Sequence, residues 1–200
     1  WVFDGGHRTR AAFYRDDVLT LPCMIHKVAD VGEEARAFVA RNTMLTTVNA
    51  VDRYVASVCA GEPGAMETQA LLELYGIEVS KHATSAGKIK CVKTLCEMVV
   101  ADSNLAERVF SFVLRSAKSD EKPVSAAFLR GLFLLCQNQA KKGIDLLDSY
   151  GEKLARYSQT EVETRVRQKR AECGMGGQKI EALAILDLIN KGLRNKLAFE

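Results

Sequence analysis

Residues 4–10 combine the residue types that bind an anion between a strand and a helix. The set comprises Asp4, Gly5, Gly6, His7, Arg8 and Arg10. Adjacent glycines allow a tight turn and a close approach of the backbone to a ligand. The unpaired N–H groups of a helix N-terminus favour negative charge, and a guanidinium can hold phosphate or carboxylate through two hydrogen bonds. The segment therefore predicts a phosphate- or carboxylate-binding turn.

Two members of this set are candidates for catalytic roles. An imidazole can donate or accept a hydrogen bond and can carry a proton, so His7 could exchange either with a bound anion. Asp4 could hold a metal ion, or it could orient His7 or Arg8. Since the other histidines are scattered through the chain, the sequence predicts no His-based metal site.

The elements around this turn are predicted from apolar spacing. Residues 1–3 are apolar and indicate a strand, and the alanines that follow Arg10 indicate a helix. The run 19–25 (LTLPCMI) is typical of a second strand. A helix with the sequence EEARAFV then extends over residues 33–39 and leads to Asn42 and Thr43.

In this order, strand, DGGHR turn, helix, LPC strand and EEA helix, the chain resembles the ParB/sulfiredoxin superfamily, in particular phage and plasmid ParB-like and DGQHR-type proteins. The positions that match its central motif are Asp4, Gly5, His7, Arg8, Arg10 and Ala11. The resemblance covers about the first quarter of the chain. It implies an α+β fold in which a small ParB/sulfiredoxin-like core, with strands upstream of residue 1, precedes a helical bundle.

The resemblance also implies a function. The matching loop of ParB-like relatives binds a nucleoside triphosphate, in some cases CTP with Mg. A nucleotide- or DNA-phosphate-binding protein of a phage, plasmid or other mobile element is therefore expected, with Asn42 and Thr43 bordering the cleft. Sulfiredoxin chemistry is not expected, because Gly6 stands where sulfiredoxin has its nucleophilic Cys.

Two alternatives use the same residues differently. A nucleotide hydrolase or nuclease would need carboxylates for a metal or a base, and the acids near the turn are Asp4, Asp16 and Asp17. A structural or interaction protein could instead retain the fold without activity. For the ParB-like protein itself, the helical bundle is expected to mediate self-association or docking to a protein partner.

Composition restricts the other classes of function. A net charge of +3 permits contact with nucleic acid without demanding it. No apolar run is long enough for a membrane span, and no signal peptide is visible, so a cytoplasmic protein of a bacterial or phage-infected cell is expected. The six cysteines show no CxxC pair and are predicted to be buried thiols in a reducing compartment rather than zinc ligands.

Beyond residue 30, the apolar spacing predicts helices almost throughout. The predicted division is 1–30 as the C-terminal part of the ParB-like core, 31–80 as helices packing on it, and 81–200 as a bundle extension, with a polar loop over 80–87. Thr160 and Glu163 predict a capping box for a charged helix, and Ile180 to Leu197 predict a last amphipathic helix.

Two basic clusters lie on these last helices. Arg165, Arg167, Lys169 and Arg170 form the first, and Lys191, Arg194 and Lys196 form the second. They could contact phosphates, but the glutamates interleaved with the first cluster favour the interpretation of solvated helix faces.

Overall fold

The computed structural model describes residues 6–23, 25, 27–45 and 49–199, without the side chains of 41–45. In these ranges the chain is mostly helical. The helices are α1 Gly6–Phe13, α2 Val31–Leu45, α3 Ala50–Cys59, α4 Pro63–Leu74, α5 Val92–Ala101, α6 Ser103–Ser119, α7 Ala126–Ala140, α8 Leu146–Leu154, α9 Gln159–Cys173 and α10 Gln178–Asn190. The helix predicted after the glycine turn is thus confirmed as α1.

One small sheet is present in the described ranges. Strands β1 Glu78–Val79 and β2 Lys88–Ile89 pair in parallel, with Glu78 opposite Lys88. The predicted polar loop 80–87 connects them. Parallel strands ordinarily need a crossover of a dozen or more residues, and this shorter loop suffices because each strand has only two residues.

The strand predicted over residues 19–25 is wrong for the part that is described. Residues 19–23 and 25 belong to neither a helix nor a strand, and Leu19 and Ile25 are 90% and 86% exposed. A strand requires a partner for its backbone hydrogen bonds, and no described segment pairs with this one. The strand predicted over 1–3 lies outside the described residues, so the ParB-like core stays a prediction.

A continuous apolar core joins helices on both sides of the 80–87 loop. It includes Val51 and Leu72 before the loop, and Leu95, Phe110 and Ile185 after it. All its members are less than a tenth exposed. The division of the chain at residue 80 remains a prediction, whereas the packing of α3 to α10 around shared apolar side chains is observed.

Helix α7 lies against α10 at very short range. A Cβ built on Gly131 would stand 2.8 Å from the carbonyl carbon and 2.9 Å from the Cβ of Glu181. Only glycine permits this approach without displacing backbone. The two helices therefore meet backbone to backbone at the centre of the bundle.

Several predicted helix boundaries are corrected. The capping box of α9 is formed by Ser158 and Glu161 rather than by Thr160 and Glu163, because Thr160 instead bonds to Asp120. Helix α10 ends at Asn190 rather than near Leu197, since Gly192 adopts a φ of 77°, which terminates the helical turn.

The prediction that the cysteines are buried is wrong for half of them. Cys23, Cys59 and Cys173 are exposed: Cys59 and Cys173 are the last residues of α3 and α9, and Cys23 lies in neither a helix nor a strand. Cys91 and Cys136 fit the prediction better, since burial raises their pKa values to about 11 and about 12. These two thiols are therefore protonated and unreactive at neutral pH.

Candidate functional site

The start of α1 is an open helix N-terminus. Gly6 is the first helical residue, and a Cβ built there would meet no atom of the described residues within 4 Å. No acidic residue lies in the first turn, and no residue of α1 is buried. The first N–H groups of a helix have no partner within the helix, so this end of α1 could donate hydrogen bonds to an anion.

The basic side chains predicted for this site lie on α1 itself. His7 and Arg8 belong to its first turn, whereas Arg10 lies in its last turn, and all three are exposed. Because Arg10 is near the opposite end of an eight-residue helix, it adds positive charge along the helix rather than at its N-terminus. Arg8 also has an interaction within the protein, so it does not project into solvent unconstrained.

The positions of four predicted site residues, or of their side chains, lie outside what the structure describes. Asp4 and Gly5 lie outside the described residues, and so do the side chains of Asn42 and Thr43, whose backbone is in the last turns of α2. The proposed cleft between the turn and α2 therefore stays a prediction.

The two acids that follow α1, Asp16 and Asp17, do not form a catalytic or metal-binding group with each other. Arg15 Nε donates to Asp17 Oδ1 over 2.8 Å, and this contact lowers the pKa of Asp17 although both groups are exposed. Asp16 is exposed as well. Within the described ranges, no group of three or more His, Cys, Asp or Glu side chains is close enough to hold a metal ion.

For Arg165 and Lys169 of the first basic cluster, the structure corrects the prediction of a solvated helix face. Arg165 and Lys169 on α9 both bond to the carboxylate of Asp187 on α10, with Lys169 Nζ at 2.8 Å. Arg165 also donates to Glu172 over 2.6 Å. Partial burial alone would raise the pKa of Asp187, but the hydrogen bonds from Lys169 and Arg165 outweigh it and lower the pKa. This face of α9 is an ion-pair network.

A second network joins three helices around a buried acid. Glu181 on α10 is fully buried, and it accepts hydrogen bonds from Arg130 on α7 and Arg170 on α9 at 2.7 and 2.6 Å. The Arg130 Nε donates to its other oxygen over 3.0 Å. Sequence reasoning missed this role of Glu181, although its place between Ile180 and Ala182 put a lone acid on an apolar face.

A cleft lies between α9 and the segment that follows α10. Its volume is about 800 Å³, and its basic lining residues are Arg165, Lys169, Lys191 and Lys196. It therefore combines members of the two basic clusters, which the sequence placed on separate helices. The missed signal was Gly192, which ends α10 and carries the second cluster back toward α9.

The comparisons with known proteins add no neighbour to this description. No protein-family model, curated protein or solved structure matches the chain. In the part of the chain that the structure describes, no helix is both long enough and apolar enough to cross a membrane.

Proposed function

We propose that this protein is a ParB-like nucleotide- or DNA-phosphate-binding protein that uses residues 4–10 as its anion site. The observation that carries the proposal is the open start of α1 at Gly6, which has a basic first turn without an acidic residue. The sequence order around the turn, which resembles phage and plasmid ParB-like proteins, supports the choice of phosphate as the anion.

The chemistry follows from three kinds of group. The first N–H groups of α1 can donate to phosphate oxygens, and the helix dipole adds favourable potential. Arg8 supplies a charged fork in the same turn, and His7 supplies a further donor or a proton. An Mg ion bound with a triphosphate could be held by the phosphates together with Asp4, which is one of the two roles that the sequence leaves open for this residue.

A nucleotide panel tests the proposal directly. Thermal unfolding is measured with each nucleoside triphosphate, with and without Mg, and with a duplex oligonucleotide. Binding at about a hundred times the dissociation constant should stabilise the protein by about 2.7 kcal/mol. Arg8→Ala should weaken the affinity at least about tenfold, because a charge-assisted phosphate contact is lost.

Arg15→Ala is the matched control. It removes the same charge from the far end of the same segment, where Arg15 is paired with Asp17. Its affinity should remain within about twofold of the parent, since it does not face the helix start. Equal losses in both variants, or no ligand response in the parent, would contradict the proposed site. Release of inorganic phosphate in the same samples would instead favour the hydrolase alternative.

A second candidate function is self-association through the helical bundle. Val55, Met66, Leu74 and Val100 are 46–72% exposed. They lie on α3, α4 and α5, three helices that pack on one another. Exposed apolar side chains mark an interaction surface when they form one contiguous patch, and self-association would require these four to do so. Sedimentation at increasing protein concentration tests this function, and a monomer at every concentration contradicts it.

A further inference from the structure

The cleft between α9 and residues 191–196 has an excess of positive charge. Arg165, Lys169, Lys191 and Lys196 line it, against the two carboxylates of Glu161 and Asp187. Glu161 is directed to the start of α9, where it accepts from the Ser158 N–H over 2.8 Å. Asp187 is already shared by Arg165 and Lys169. Neither acid is therefore available to neutralise Lys191 and Lys196.

The two tail lysines are the charges that a ligand would use. Both are exposed, and within the described ranges neither side chain has an ion-pair or hydrogen-bond partner. Exposed lysines usually contact only solvent. Lys191 and Lys196 can contribute to ligand binding because the chain that carries them is held beside the charged face of α9. Lys191 is next to the end of α10, and Lys196 follows four residues of tail.

Hydrogen bonds fix the tail that carries them. Asn190 Nδ2 donates to the Leu197 carbonyl over 2.9 Å, and its Oδ1 accepts from the Leu197 N–H over 2.8 Å. Lys153 Nζ donates to the Lys191 carbonyl over 2.7 Å. The segment is thus closed into a loop from both ends, and the cleft is formed before any ligand arrives.

The size and the remaining walls indicate what fits. A volume of about 800 Å³ lies within the range of sites for small molecules. Tyr157 and Leu188 supply apolar surface, and Gln168 supplies a neutral polar group. A single carboxylate would pair with only one of the two unpaired lysines. Several linked phosphates could contact both lysines and also Arg165 and Lys169 on the opposite wall, which are already paired with Asp187 and Glu172.

We propose that this cleft binds a small ligand carrying several phosphate groups, of the class of nucleoside triphosphates or inorganic triphosphate. The site is separate from the start of α1 and does not depend on the function proposed for it. Arg165 and Lys169 contribute from one wall, where they also bond to Asp187, and Lys191 and Lys196 contribute from the other.

The test measures inorganic triphosphate and ATP by calorimetric titration of the full chain. The double variant Lys191→Ala/Lys196→Ala should lose at least about tenfold in affinity for both probes. Its thermal midpoint should stay unchanged, because the two side chains are exposed and unpaired. The charge-conserving double variant Lys191→Arg/Lys196→Arg should retain affinity within about threefold.

Two further variants distinguish binding in this cleft from a net-charge effect and from binding at α1. Lys90→Ala/Lys141→Ala removes the same charge from exposed positions that do not line the cleft, and it should bind both probes like the parent. In the Arg8→Ala background the α1 site no longer contributes, and the loss caused by Lys191→Ala/Lys196→Ala should persist there, so the failure of the α1 site and the failure of this one are distinguishable.

Three results would overturn the assignment. The first is the absence of any heat of binding for either probe in the parent. The second is an equal loss in the Lys90/Lys141 control, which would indicate only the net charge. The third is a lysine-dependent interaction with a DNA duplex but with neither small probe, which would assign the cleft to a polymer instead.

Discussion

A single buried carboxylate, that of Glu181 on α10, bonds to arginines on two neighbouring helices. Glu181 is fully buried, while its two arginine partners are 32% and 41% exposed. A buried charge is tolerated only with partners of opposite charge, and removal of one side of such a group is more damaging than removal of a surface pair. The group therefore fixes the relative positions of α7, α9 and α10.

Glu181→Gln should destabilise the protein by about 2 kcal/mol. The amide keeps the shape but leaves Arg130 and Arg170 without their carboxylate, and partial exposure of the arginines moderates the loss. Chemical denaturation at neutral pH measures the change. The exposed Glu152→Gln serves as control and should stay within about 0.5 kcal/mol of the parent. Equal stability of the two variants would show that the network contributes nothing.

At the scale of elements, α9 is the helix that the sequence describes least well. Its charged residues predict a solvated face, yet Arg165 is only 23% exposed and Lys169 only 20%. The pattern on one helix cannot show that an acid on another, Asp187, lies opposite. Apolar spacing, by contrast, identified α7 and α10, because their buried side chains recur with the helical period.

The α9–α10 contact should make stability depend on acid pH. The pKa of Asp187 is lowered in the folded protein, so its contribution is present above the unfolded value near 4 and is lost as the pH falls through the folded value. Between about pH 6 and about pH 3, Asp187→Asn should lose less unfolding free energy than the parent.

Urea unfolding at each pH gives the two curves. The contribution at neutral pH should be on the order of 1 kcal/mol or less, because Asp187 is a third exposed and its charge is screened by solvent. Asp16→Asn, at an exposed carboxyl without an ion-pair partner among the described residues, should follow the parent curve. Parallel curves for the parent and Asp187→Asn would show that the ion pairs of Asp187 do not contribute to the pH dependence of stability.

For the molecule as a whole, sequence reasoning recovered the helical bundle and the helix after the glycine turn. It could not recover the small sheet, because two-residue strands carry no periodic pattern. It also did not bring the two basic clusters together in one cleft, since that cleft depends on the turn at Gly192 and the return of the tail. Local patterns predict elements, whereas contacts between distant elements determine sites.

Self-association is the property of the whole molecule that the exposed apolar side chains predict. The double variant Met66→Asp/Leu74→Asp should raise the dissociation constant of the oligomer at least about tenfold. The reason is that it places charges within an apolar contact between the two copies. Both side chains are exposed, so the fold should persist. Met175→Asp changes an equally exposed residue on the loop between α9 and α10 and should sediment like the parent.

The close approach of α7 and α10 limits how this sequence can diverge. At Gly131 any side chain would collide with main-chain atoms of the neighbouring helix, and a collision with main chain cannot be relieved by choosing another rotamer. Substitutions there should be accepted only with a shift of one helix along or away from the other. Such a shift would also move Glu181 away from Arg130 and Arg170. A substitution at Gly131 should therefore be accompanied by substitutions at these three positions.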